Sequence, residues 1–204
     1  MNKSVSLITT VLLMLYLPIV QAAIGEEPLD LIQGTTENLL AGLKETPGLR
    51  TSPDGLHKLV EKIVLPHVDL AALSRLTLGK YWRQATSEQR TRFAEEFRRL
   101  LIRTYSSSLM EYKAQNVEYQ MLTMSGDRQK SIVRTRIVQP GQPAMQIDYR
   151  LRRAGRGWKI YDVTIEGVSL AVSYRTTFSE EIRRDGIEAL IDNLAVRNAD
   201  AHRT

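Results

Sequence analysis

Three short constellations in this chain have residue types that could do chemistry. The first is Pro66-His67-Val68-Asp69, where a carboxylate two positions from an imidazole could orient it as a general base. The same spacing suits a loop between two helices, with Asp69 capping the second helix and His67 bonded to backbone, and no nucleophile or second base accompanies the pair. His57 and His202 lie too far away in sequence to suggest a ligand set, and no His-x-x-x-His spacing occurs. With no cysteine anywhere, a thiol nucleophile, a thiolate metal site and disulfides are excluded.

The second constellation, Gly167-Val168-Ser169-Leu170-Ala171, nearly matches the Gly-x-Ser-x-Gly nucleophile elbow and follows a predicted strand. Its second glycine is missing, and the only histidine after the serine is His202, in the tail. The third is Tyr149, Tyr161 and Asp162, which could pair an acid with an oxyanion site as small isomerases do in apolar pockets. Strict strand alternation turns Asp162 to the opposite side from Tyr161 and Val163, so the set does not converge.

The elements that would position these groups are readable from hydrophobic period. Leu29, Ile32, Leu39, Leu40 and Leu43 recur at helical spacing until Thr46-Pro47-Gly48. Ser52 or Asp54 caps a second helix that Pro66 ends, and Asp69 caps a short third over Leu70 to Leu76. Thr86 with Gln89 is a capping-box signature opening the longest helix, whose apolar face is Phe93, Phe97, Leu100, Leu101, Thr104, Tyr105 and Ser108. After Asn116 the period becomes 2, and turns at Ser125-Gly126-Asp127, Pro140-Gly141 and Gly155 to Gly157 separate four strands ending at Ile165. A last helix is predicted over 179–196.

This order, helical over 26–112, sheet over 116–166 and then a helix, predicts one α+β unit: a small curved antiparallel meander of about four strands whose dry face helices cover. The sheet offers Val133, Ile137, Met145, Ile147, Tyr149, Leu151, Tyr161, Val163 and Ile165 to that dry face. Facing it are Phe97, Leu101 and Tyr105 from the long helix, then Val168, Leu170, Tyr174 and Phe178 from the segment after the sheet. Such a surface is either a closed core or the wall of a cavity, and period does not separate the two.

The amino terminus determines where this surface works. Lys3, the apolar run Val5 to Val20 and the small residues at Val20-Gln21-Ala22 make residues 1–22 a secretory signal peptide, leaving a single domain over 23–204. The run includes Pro18 and falls short of the ~20 residues that cross a bilayer. A formal charge of +5 over 204 residues is mild, and its arginines are scattered, which suits a solvated face or steering toward anionic head groups or an acidic partner. Nucleic acid is a poor fit, because no stacking aromatics cluster among the basic residues. Nothing in the sequence demands assembly beyond a monomer.

At Leu78-Gly79-Lys80-Tyr81-Trp82-Arg83, with Gln89-Arg90, Phe93, Phe97, Leu101 and Tyr105, the chain resembles the periplasmic phospholipid carriers of the bacterial lipid-asymmetry (Mla) pathway, the MlaC or toluene-tolerance family. The resemblance resumes at Trp158-Lys159-Ile160-Tyr161-Asp162-Val163 and Glu166-Gly167-Val168-Ser169-Leu170, then Tyr174-Arg175 and Phe178, and spans about Leu29 to Leu194. It implies a fold similar to the nuclear-transport-factor-2 type, a periplasmic location, and phospholipid as cargo with no metal or other cofactor. It also implies two partners: an outer-membrane lipoprotein and porin complex, and an inner-membrane ABC transporter with a lipid-channel subunit. Carried over by position, the acyl-tail contacts it implies are Phe97, Leu101, Tyr105, Val133, Ile147, Tyr149, Leu151, Val163, Ile165, Val168, Leu170, Tyr174 and Phe178, with Arg90 near the head group. Two rival readings stand beside it: an isomerase or hydrolase using a similar cone, and a ligand-free adaptor with a filled core. A charge introduced at Val168 should strip lipid from a carrier but collapse a filled core.

Overall fold

The computed structural model describes residues 27–46, 48–49, 52–110, 116–123, 127–139, 141 and 143–200. The leader, the turn residues Ser125, Gly126 and Pro140, the side chain of Ser108 and the tail bearing His202 lie outside the described residues. Among the described residues five α-helices frame the chain: α1 (Pro28–Glu45), α2 (Pro53–Ile63), α3 (Leu70–Leu78), α4 (Ser87–Met110) and α5 (Leu170–Asp200). Between α4 and α5 runs an antiparallel sheet in sequence order: β1 (Asn116–Thr123), β2 (Lys130–Val138), β3 (Met145–Ala154), β4 (Gly157–Ile165) and β5 (Val168–Ser169).

Local chemistry explains the helix starts. Ser52 accepts the Gly55 N–H at 3.2 Å and Pro53 occupies the first turn of α2, while Asp69 accepts the Ala72 N–H at 3.0 Å to open α3. Ahead of α4, the Thr86 side chain accepts the Gln89 N–H and the Gln89 side chain accepts the Thr86 N–H, each at 3.1 Å, so the expected capping box is present. Thr86→Ala removes one of these two bonds and is expected to cost about 1 kcal/mol of stability, read as a lower midpoint in urea denaturation.

Three expectations need correction. The sheet has a fifth strand, the two-residue β5, which folds back on β4 through Glu166-Gly167. The last helix begins at Leu170 and not at Ser179, because Ser169 accepts the Val172 N–H at 3.2 Å and buried Asp162 accepts the Ala171 N–H at 3.2 Å, and these two caps start the helix early. That helix is broken at Gly186, whose φ of 88° and ψ of 166° lie in a region that side-chain-bearing residues avoid.

The third correction concerns β4. Leu151 of β3 pairs with Ile160, yet the next residue back, Arg150, pairs with Asp162, so Tyr161 is an extra residue in a β-bulge. The bulge shifts the alternation by one position. Trp158 and Ile160, and then Val163 and Ile165, share the face that carries Leu151, Tyr149 and Ile147, whereas Tyr161 and Asp162 both turn to the other face. Tyr161 therefore leaves the dry face on which strict alternation places it. The same register separates Tyr149 from Tyr161 and Asp162, so the isomerase-like trio does not assemble.

Candidate functional site

Most of the buried apolar residues form two separate clusters, while Leu43, Leu56, Ala85, Ile102 and Ile137 are buried outside both. One belongs entirely to helices: Leu73 and Leu78 of α3, Phe93 and Phe97 of α4, and Ala171, Phe178, Ile182, Leu190, Ile191 and Leu194 of α5. Its centre is an aromatic block. Phe93 stacks on Phe97 at 5.4 Å between ring centroids, Phe178 meets both edge-on at 5.8 Å, and Tyr174 meets Phe97 edge-on at 5.2 Å. Ion pairs clamp α4 to α5 outside this block, with Arg92 reaching Glu188 and Asp192.

The other cluster joins the sheet to α1: Leu31 and Ile32 pack on Val133, Leu151, Trp158 and Ile160. Tyr119, Tyr149 and Val163 border it, only partly buried. Ile147 and Ile165 form the next cross-strand pair beyond Tyr149 and Val163 on the same face, and both are half-buried. On the helical side, Leu101 and Tyr174 border the aromatic block half-buried, and Tyr105 and Leu170 have similar exposure. Among the described residues, none is a buried member of both clusters. These two dry centres are distinct, and half-buried apolar side chains border each of them.

Polar groups at these borders are neutral. Tyr105 shares a hydrogen bond with Tyr174; burial first, then the neighbouring Tyr174, pushes its phenol up to about 12. An unfolded tyrosine titrates near 10, so folding favours the protonated phenol and the resulting stabilisation is complete below pH 10 and lost as pH rises through about 12. Tyr105→Phe is expected to flatten the fall in urea midpoint between pH 9 and pH 11.5, while leaving the midpoint at pH 7 little changed.

The sequence-predicted site residues are thus divided. Phe97 (0 % exposed) and Phe178 (2 %) are locked in the helical block, and Val133 and Leu151 are fully buried under α1. Leu101, Tyr105, Ile147, Tyr149, Val163, Ile165, Leu170 and Tyr174 make up the half-buried set. Val168 is not interior: at 58 % exposed, on the two-residue β5, it joins Val172 and Met145 as an exposed apolar residue. Arg90 is committed to packing, with its Nε donating to the Trp82 carbonyl at 2.9 Å and its guanidinium 5.1 Å above the Trp82 ring.

The reactive motifs have structural jobs. Ser169 Oγ donates to Asp162 at 2.7 Å, and Asp162, 2 % exposed, also accepts the backbone N–H groups of Val163 and Ala171. This joins β4, β5 and the start of α5 in one buried network. Asp69 caps α3 and pairs with Arg152, as its loop reading requires. Among the described residues, no three His, Asp or Glu side chains could hold a metal ion, and no helix is long and apolar enough to cross a membrane.

Fold and packing together describe an α+β unit with two apolar clusters bordered by half-buried side chains. The family model described as MlaC protein matches residues 33–196, and the chain belongs to that family. Toluene tolerance protein Ttg2D of Pseudomonas putida is 29% identical over 181 residues, spanning 87% of this chain and 84% of its own. The intermembrane phospholipid transport system binding protein MlaC of Haemophilus influenzae is 26% identical over 181 residues, spanning 86% and 85% respectively. A solved phospholipid-binding protein from Ralstonia solanacearum, in complex with a phospholipid, aligns with a TM-score of 0.78 at 30% identity, covering 86% of this chain and 98% of that one.

Proposed function

We propose that this chain is a periplasmic phospholipid carrier that encloses acyl tails in the seam between its two apolar clusters and shuttles lipid between outer-membrane and inner-membrane complexes. The observation that carries the reading is the separation of the sheet–α1 cluster from the helical cluster, with Tyr149, Val163 and Tyr174 half-buried at their borders, in a fold shared with a protein solved with phospholipid bound. The physical need is large. Two acyl chains hold roughly 30 methylenes, and at about 0.8 kcal/mol each their exposure to water would cost on the order of 20 kcal/mol. A carrier must cover the tails and can leave the head group wet. Directional handover then requires only different affinities at donor, carrier and acceptor, with no bond chemistry. The proposed partners are an outer-membrane lipoprotein and porin complex and an inner-membrane ABC transporter with a lipid-channel subunit, and the proposed working form is a monomer released by signal cleavage near Ala22.

Native mass spectrometry of protein purified without detergent tests the reading. A stoichiometric adduct of phospholipid mass is expected. Bare protein that also takes up no lipid from vesicles would overturn the proposal and leave the filled-core adaptor in its place.

A further inference from the structure

The sheet face turned away from α1 borders a cavity of about 340 Å³ at the corner where α3 and α5 reach it. Four cations from four elements line it: Arg75 of α3, Lys130 of β2, Arg152 of β3 and Arg175 of α5. The bulged Tyr161 adds a phenol, and the lining contains no carboxylate. The register shows that this is not the apolar seam. Lys130 pairs with Arg152, one position along from the Ser131–Leu151 pair that faces α1, so the strand residues of the two sites lie on opposite faces of the sheet.

The charges are held in different ways. Arg152 is paired with Asp69, and Lys130 Nζ lies 3.0 Å from Asp127. Arg175 is positioned by its Nε, which donates to the Leu76 carbonyl at 2.7 Å and leaves its terminal nitrogens for another acceptor. Gly79 makes room for that arm: its φ is +54°, and a Cβ there would lie 3.2 Å from Arg175 Cδ. The Arg75 side chain forms no ion pair or hydrogen bond among the described residues. Two carboxylates stand against four cations, so the cavity retains a positive charge that a concave wall concentrates.

We infer that this cavity is an anion site that takes a phosphate group. The guanidinium forks of Arg75 and Arg175, which line the same cavity, suit the several oxygens of a phosphate, each arginine offering two parallel N–H donors. A lone carboxylate would satisfy only one fork. The phosphate could belong to a lipid head group presented at a membrane surface or to a free phosphorylated molecule, and both use the same contacts.

Calorimetric titration of the purified protein with inorganic phosphate and with glycerol 3-phosphate at low salt tests the site. Saturable binding is expected, weakened about tenfold by Arg75→Gln and left within about twofold by Arg183→Gln on the exposed side of α5; tenfold is what one charge-assisted hydrogen bond of ~1.4 kcal/mol represents. Lys130→Gln, at an exposed strand end, serves if the Arg75 variant does not fold. Co-sedimentation with vesicles of phosphatidylcholine, with and without phosphatidylglycerol, separates the sources. Binding to the anionic vesicles that Arg75→Gln abolishes assigns the site to a head group; saturable phosphate binding with no vesicle effect assigns it to a free phosphate. Absence of saturable phosphate binding at millimolar concentration, or equal behaviour of the Arg75 and Arg183 variants, overturns the inference. None of these readouts depends on acyl chains being retained, so the result stands apart from the carrier reading.

Discussion

Val163→Glu is expected to leave a folded protein that has lost its phospholipid. Val163 borders the sheet–α1 cluster, half-buried, opposite Tyr149 on the neighbouring strand. In the empty protein a glutamate there can turn its carboxylate to water, so the thermal midpoint of delipidated protein should stay within about 5 °C of the parent. With tails in the seam, the same carboxylate must be covered without a partner, a penalty of several kcal/mol, and each 1.4 kcal/mol lowers affinity tenfold. Lipid recovered per protein molecule, measured after detergent-free purification, should fall at least tenfold. The partner experiment is Val168→Glu. At 58 % exposed, that position already meets water, so its variant should keep both fold and lipid. If Val163→Glu retains lipid while Val168→Glu loses it, the tails lie at the exposed β5 end and the seam is not their site.

That pair of positions also shows what the sequence could and could not reveal. The helices and meander were legible because each advertises itself locally: the Thr86/Gln89 box, the Asp69 cap and the alternation from Met145 to Leu151 need only near neighbours. The bulge at Tyr161 was not legible, since it is set by which residue of β4 meets Arg150 and Leu151 across the ladder. It moves a tyrosine from the apolar face to a cavity lined by arginine and lysine. The early start of α5 did carry a local signal: Leu170, Tyr174 and Phe178 repeat every fourth residue behind a Ser169 cap. The β-branched Val172, Thr176 and Thr177 dilute that pattern. A single list of apolar residues likewise could not show that the interior has two centres, because period assigns a side chain to a face and says nothing of which other face it meets.

The division of the interior makes a second, opposite expectation for Phe97. Its ring is fully buried among Phe93, Tyr174 and Phe178, in contacts made entirely between helices. Phe97→Ala opens a cavity in that aromatic block and is expected to destabilise the delipidated protein by about 4 kcal/mol, read from urea denaturation. Tyr149→Ala removes a half-buried ring from the seam, where water already reaches the site, and should cost well under half as much. Lipid recovery should rank the two the other way, with Tyr149→Ala losing lipid and the folded fraction of Phe97→Ala keeping it. The crossing of the two rankings is the point, because a single continuous core would make stability and lipid retention fall together at both positions. Should Phe97→Ala cost less than about 1.5 kcal/mol and also release lipid, the helical block would be part of the tail site.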